Sequence, residues 1–470
     1  MCRVFTNNSL KSLVMTKVRK HIFRWSDLFL VLGFAPVAVF LIFGPEYMQF
    51  PNPDDVALKA IWIVICFIFM VLCWGVYIYL ELDKGNCVNR AALYVFIILM
   101  IIGVTGILTQ GKEFSINTYD INGEPIVASV ELSDTHILFF TFEIVAILLF
   151  VYIGVFIFPK RFQSVWPIKI FGYAIFFLCF TLAIHSYIIE TAKYPAFLKA
   201  LIECDESGLS ANSTYSVILN QNSLGMVLLV GILFCLINHS LSKHRWFYFP
   251  LAIYFYLNMI FTCCRTALAI APILFFIYVY FVLIHTMKKN PSLNAFFFVF
   301  VTLVLIATTT VVLLSILSEG KYIEYFYNLY KIFANYSSME YRERIWSNTY
   351  QILAQTVPMS LIFGRGFGTM NQMVLAMNGF KKWLFPTHNG YLNLLAEGGL
   401  LYLLSYIALL GYIVSIVVKN YRVNPRAAVA LTLGLSAFAI YSLNETIHYF
   451  TYPFMFFILV YDNAKVKPNY

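Results

Sequence analysis

Arg265, Arg342, Arg344 and His388 are the residues of this chain whose types best suit chemistry. Arginine keeps its charge at any physiological pH, and its planar fork donates paired hydrogen bonds that match phosphate oxygens. Histidine takes up and releases a proton near neutral pH, as a general base must. Two arginines and a histidine gathered on one side of a bilayer suit an anionic, lipid-linked substrate with a base beside it.

Each candidate has a plain structural reading as well. Arg265 stands between two apolar runs, in Phe261-Thr262-Cys263-Cys264-Arg265-Thr266-Ala267-Leu268. A lone arginine there reads as an interfacial residue snorkelling to headgroups. Against that, the chain's other basic anchors gather on the opposite side, and the run 246–285 is too long for one span and very short for two. Arg342-Glu343-Arg344-Ile345-Trp346 opens a helical stretch ending near Pro358. Arg342 and Trp346 share a face, being four apart, whereas Arg344 points elsewhere and reads best as a solvated arginine beside Glu340 or Glu343. Gly364, Gly366 and Gly368 make a tight turn; no strand precedes them, which excludes a nucleotide-binding fingerprint.

His388 follows Thr387, which reads as the N-cap of the next helix. That puts His388 in the first helical turn, where the positive end of the helix dipole disfavours imidazolium. Asn220 and Asn222, in the outer third of the sixth span, suggest a lined cavity, as do Asn389 and Glu397. Glu445 and His448 read as a solvated acid and an interfacial histidine. Asp54 and Asp55 form the one paired carboxylate that could hold a metal, and a solvated loop explains them better; no metal or other cofactor is expected.

Apolar spans must position these residues. Hydrophobic residues make up 61% of the 470 and charged residues only 12%, well outside the range of soluble domains. Apolar runs long enough to cross ~30 Å of hydrocarbon recur along the whole length. Because lipid offers no hydrogen bonds to the backbone, an all-α polytopic fold is expected. About 12 transmembrane helices are read, near 27–44, 57–80, 91–110, 137–158, 168–190, 214–238, 246–263, 265–285, 293–317, 391–418, 426–443 and 447–461. The organisation is therefore nine spans in 1–317, one large loop over 318–389 and three spans in 390–470. Within the loop, 321–336 reads as an amphipathic, tyrosine-rich interfacial segment.

The net charge of +9 does not imply nucleic acid, because basic residues collect in alternate connections. Arg3, Lys11, Lys17, Arg19, Lys20 and Arg24 precede the first span; Lys160 with Arg161, Lys243 with Arg245, and Lys419 with Arg422 continue the series. This positive-inside bias puts both termini in the cytoplasm and turns Arg265, the 318–389 loop and the 444–448 turn outward. The first apolar run is long, so it reads as a retained anchor and not as a cleaved signal. The nine cysteines show no metal spacing and no disulfide framework; most read as packing residues.

Taken in order, Arg342-Glu-Arg-Ile-Trp346, Phe363-Gly-Arg-Gly-Phe-Gly368 and His388-Asn-Gly-Tyr-Leu-Asn-Leu-Leu-Ala-Glu-Gly-Gly399 resemble the O-antigen ligase / O-antigen polymerase superfamily. Arg265-Thr266-Ala267 and Asn220-Gln221-Asn222 are similar to two further motifs of that family. The resemblance implies a GT-C-like, lipid-dependent glycosyltransferase at the outer face of the inner (plasma) membrane. It implies transfer of a glycan from undecaprenyl diphosphate to a lipid A–core acceptor, without a metal and with inversion. Arg265 and Arg342 would hold the diphosphate and His388 would be the base; Arg344 leaves open which loop arginine faces the lipid. The chain departs from the pattern in having Cys263-Cys264 where a serine or threonine often precedes the span arginine.

Two other functions compete. A repeat-unit polymerase of the same superfamily would share the site and differ in its acceptor. A flippase or transporter, a non-enzyme, would usually carry charges at mid-membrane and show repeated halves; here Glu143 is the clearest charge within a span, and the polar residues gather on one face.

Overall fold

The structure is a computed structural model describing residues 24–36, 53–82, 88–109, 113–119, 124–131, 134–162, 164–214, 221–242, 247–287, 337–354, 358–364, 388–421, 424–445 and 448–464. In chain order the helices are α1 (Trp25–Leu32), α2 (Pro53–Leu82), α3 (Arg90–Thr109) and α4 (Asp134–Tyr152). A π-helical turn (Ile153–Ile157) joins α4 to α5 (Phe158–Arg161). Then come α6 (Trp166–Ile189), α7 (Lys193–Glu203), α8 (Glu206–Ala211), α9 (Gln221–Leu241), α10 (Tyr248–Phe261) and α11 (Arg265–Met287). The remainder are α12 (Ser337–Ala354), α13 (Pro358–Phe363), α14 (Gly390–Tyr421), α15 (Pro425–Tyr441) and α16 (Thr451–Ala464).

Among the described residues, seven helices are long and apolar enough to cross a membrane. The chain is thus an α-helical polytopic membrane protein, as its composition requires. The ninth expected span, the amphipathic stretch 321–336 and most of the glycine-rich turn lie outside the described residues. One element was not anticipated. Strands β1 (Glu113–Tyr119) and β2 (Pro125–Glu131) pair antiparallel, Ser115 opposite Ser129, and β1 packs against α12. Its signal is present in the sequence: Asn122-Gly123 lies between two alternating runs, the strongest short-range hairpin cue.

The core forms around α9, whose apolar window is 89% buried. Its sequence is apolar on every face, which is what a helix surrounded by other helices requires. It packs against α6, α10, α11 and α15. Gly172, near the start of α6, lies against Asn238, near the end of α9, so those two helices run antiparallel. The π-turn has a local reason: at Gly154 an added Cβ would fall 2.1 Å from the Phe456 ring of α16. The extra residue in the turn and the missing side chain let that ring in.

The end of the bundle carrying Arg161 is remote from the start of α9. There, Arg161 pairs with the fully buried Asp27. Arg24 reaches Glu81 at 3.2 Å, and the Ser26 hydroxyl donates to the other Glu81 oxygen at 2.8 Å. Arg24 and Arg161 read in the sequence as topological anchors only. In the structure they also neutralise two buried carboxylates, which would be costly to leave unpaired.

Candidate active site

At the opposite end, four chain segments converge. The first is the turn between α10 and α11. Thr262 donates from its hydroxyl to the Met259 carbonyl at 2.7 Å and accepts from the Cys264 N–H at 3.2 Å. Cys263 turns the corner in the left-handed region, at φ 50°. Phe197, Ala200 and Leu209 of α7 and α8 form a small cluster on which Ile260, Phe261 and Cys263 pack. The Thr214 N–H also donates to the Phe261 carbonyl at 2.8 Å. These contacts fix where α11 starts, and α11 starts at Arg265, a half-buried residue. A cation at a helix N-terminus is disfavoured by the dipole; the same two positive features favour an anion bound there.

The second segment is α12. Ile345 and Thr349 are buried, and Arg342 lies on their side, as i, i+3, i+7 spacing dictates. Arg342 Nη2 lies 2.6 Å from Glu445 Oε1, each side chain only 17% exposed. The third segment is the start of α14. His388 Nδ1 lies 2.9 Å from Glu445 Oε2. The fourth is the turn after α15, which supplies Glu445 itself; its N–H donates to the Tyr441 carbonyl at 3.0 Å. The third and fourth segments are tied by the Gly390 N–H, which donates to the Ser442 carbonyl at 2.7 Å.

One carboxylate therefore holds an arginine on one oxygen and a histidine on the other. An ionised carboxylate only accepts, so Nδ1 carries a hydrogen, and in the neutral ring Nε2 then presents its lone pair. The first turn of α11 belongs to the same cluster. Burial pushes the Cys264 thiol up, and the charges of Glu445 and Arg342 reach it with opposite effects.

His388 differs from its sequence-based placement. The N-cap of α14 is Asn389, not Thr387: its side-chain oxygen accepts from the N–H groups of Tyr391 at 3.1 Å and Leu392 at 2.9 Å. His388 lies ahead of the helix in the left-handed region, at φ 47°. Asparagine outranks threonine as a cap, and capping at 389 leaves the histidine outside the first turn. The Glu445 carboxylate, not the helix dipole, orients its ring.

α14 is 32 residues long, ~48 Å at 1.5 Å per residue and far more than a bilayer needs. It breaks at Gly399, where φ is +70°. Gly364, at φ +82°, crosses it there: a Cβ on Gly399 would lie 2.3 Å from the Ile362 carbonyl oxygen, and one on Gly364 would lie 2.0 Å from that of Glu397. The short limb before the break carries Asn393 and Glu397, both buried and joined at 2.8 Å. Glu397 thus lies on the buried limb that follows His388.

The structure brings together the Arg265 turn, Arg342, His388 and Asn389. Asn222 is exposed on the second residue of α9, and its carbonyl lies 3.7 Å from Cys264 Sγ. Asn220 and the side chains of Arg344, Asp54, Asp55 and His448 lie outside the described residues. Among the described residues no group of three metal-ligating side chains occurs. Glu445 and Tyr441 are the residues that sequence reasoning undervalued. The available signal was their spacing of four, which carries the helical register of α15 into the polar turn.

The family comparison falls on this assembly. Residues 250–407 match the model of the O-antigen ligase family. That match supports the resemblance to the O-antigen ligase/polymerase superfamily over residues 250–407. Neither the search of curated proteins nor that of solved structures returned a match. The segment matched to the O-antigen ligase family contains Arg265, Arg342, His388 and Glu397, and ends before Glu445. The carboxylate that joins two of those residues therefore comes from a part of the chain that the family match does not reach.

Proposed function

We propose that this chain, similar over residues 250–407 to the O-antigen ligase family, transfers a glycan from undecaprenyl diphosphate to an acceptor hydroxyl on the extracytoplasmic side of the inner membrane. The observation that carries the reading is the Arg342–Glu445–His388 arrangement beside the Arg265 turn. In it the acceptor hydroxyl gives its proton to His388 Nε2 while its oxygen attacks the anomeric carbon. The bond from that carbon to the diphosphate oxygen breaks, and undecaprenyl diphosphate departs with the electron pair. Attack opposite the leaving group inverts the anomeric centre.

Charge grows on the diphosphate as the bond lengthens. Arg265 and Arg342 beside it stabilise the transition state more than the bound substrate, which is the condition for acceleration. A guanidinium has five N–H donors, so Arg342 can serve both Glu445 and a phosphate oxygen. Glu445 holds the imidazole in one tautomer and stabilises the imidazolium that proton uptake creates, the role a carboxylate plays behind a histidine base. The positive charge for the leaving group comes from arginine in this reading, so transfer persists in chelator.

The acceptor is read as lipid A–core, making the chain a ligase; the large 318–389 loop and the positive-inside bias support an outward-facing site. A repeat-unit polymerase is the second reading, since it would use the same residues with a different acceptor. Purified protein given lipid-linked glycan, with or without core lipid, tests the choice. Product on core lipid establishes the ligase, lengthened lipid-linked glycan the polymerase. No product with either acceptor overturns both.

A further inference from the structure

Arg265 and Glu445 are 180 residues apart in sequence, yet a buried side-chain contact connects their segments. Cys264 precedes Arg265, and its Sγ lies 3.2 Å from the hydroxyl of Tyr441. Tyr441 ends α15, and its carbonyl accepts the N–H of Glu445 at 3.0 Å. Both partners are buried, Cys264 at 2% and Tyr441 at 3% exposure. On its other side Cys264 Sγ lies 3.7 Å from the Asn222 carbonyl oxygen.

The directions of these contacts follow from the groups involved. A carbonyl only accepts, so the thiol hydrogen points to Asn222, and the Tyr441 hydroxyl donates to the sulfur. Burial pushes the thiol pKa up, which keeps that hydrogen in place. The chain Tyr441 to Cys264 to Asn222 thus ties α15, α11 and α9 together. Gly225 of α9 leaves room for the sulfur: a Cβ there would fall 2.4 Å from Cys264 Cβ and 3.0 Å from its Sγ. Only a small side chain able to donate and accept fits position 264.

We propose that Cys264 and Tyr441 are a positioning pair that sets the start of α11, and with it Arg265, against Glu445 and its two partners. The proposal rests on the transferase reading for its functional effect but not for the contact itself. Neither residue touches the reacting atoms. Their effect is on how well the leaving-group arginine and the base are aligned, and a misplacement of ~1 Å in such an arrangement costs on the order of a hundredfold in rate.

The test is a double-mutant cycle on the purified full-length chain with undecaprenyl-diphosphate-linked glycan as donor. Cys264→Ala and Tyr441→Phe should each lower kcat roughly tenfold and raise the donor KM, and the double variant should be no worse than the poorer single one. Cys264→Ser keeps both hydrogen bonds and should restore the rate to within about twofold. Losses that multiply in the double variant, or single variants at the wild-type rate, overturn the pair. A second readout is independent of chemistry: maleimide labelling of Cys264, followed by peptide mass spectrometry in a His388→Ala background. Tyr441→Phe removes the hydrogen bond that favours the thiolate and should slow that labelling at least several-fold, and an unchanged rate refutes the contact. If His388→Ala itself transfers normally, the transferase reading fails while the labelling still judges the pair.

Discussion

His388 Nδ1 lies 2.9 Å from Glu445 Oε2, and this one distance determines which ring nitrogen can act as a base. His388→Ala should abolish transfer while the protein still inserts. Glu445→Gln keeps the shape but loses the charge behind the imidazole, and should lower single-turnover transfer on the order of a hundredfold. Near-normal product from His388→Ala, measured with lipid-linked donor and core lipid, would remove His388 from the mechanism; from Glu445→Gln it would remove the carboxylate's part in it.

Arg265→Lys should fail nearly as badly as Arg265→Ala. Lysine keeps the charge at the start of α11 but loses the fork that grips two phosphate oxygens at once. The comparison is kcat/KM for the lipid-linked donor. A lysine variant within about threefold of wild type would show that charge alone suffices and that no bidentate grip is made.

Asn389→Ala should destabilise the start of α14 by about 1 kcal/mol, and Asn389→Asp by much less, because aspartate caps as well as asparagine. The cap residue directly follows His388, so the alanine variant should also lose activity at temperatures where it remains folded. Thermal unfolding in detergent and transfer at a low temperature separate the two effects.

Gly399→Ala and Gly364→Ala should each cost at least ~2 kcal/mol, since the added Cβ meets backbone carbonyls that cannot rotate away and the residue must hold a positive φ. Both should unfold earlier on heating, or fail to accumulate. Gly411→Ala is the control: nothing lies within 4 Å of a Cβ there, and it should behave as wild type.

Burial pushes the Cys263 thiol up to about 11, partly opposed by the Arg265 charge. The thiolate is the reactive form, so a raised value means less of it at pH 8 than an ordinary thiol has. Labelling of Cys263 should be slow at pH 8 and should keep accelerating toward pH 11. Arg265→Ala removes the opposing charge and should slow it further at fixed pH. Rapid labelling at pH 8 would show that the α7–α8 cluster does not cover this turn.

The spans were legible because lipid imposes one rule on every residue that crosses it, and apolar runs of sufficient length satisfy that rule in only one way. Arg265, Arg342 and His388 could be picked out as candidates from residue type and order. Glu445 could not, because a glutamate in a polar turn has the same local signature whether water or an arginine surrounds it. Its role exists only once α12, α14 and α15 are side by side. The cap at Asn389 was misread by two residues for a related reason: Thr387 and Asn389 are both good caps, and the choice depends on where Ser442 offers a carbonyl to Gly390. The hairpin was legible and passed over, since the period-two alternation around Asn122-Gly123 is short beside the spans on either side.

The crossing of Gly364 over Gly399 joins the loop to the membrane helix through main-chain atoms alone. A joint made that way carries no record of which side chains surround it. Substitutions on the exposed face of α13 can therefore leave the limb that follows His388 in place. The two glycines themselves leave no room for a side chain.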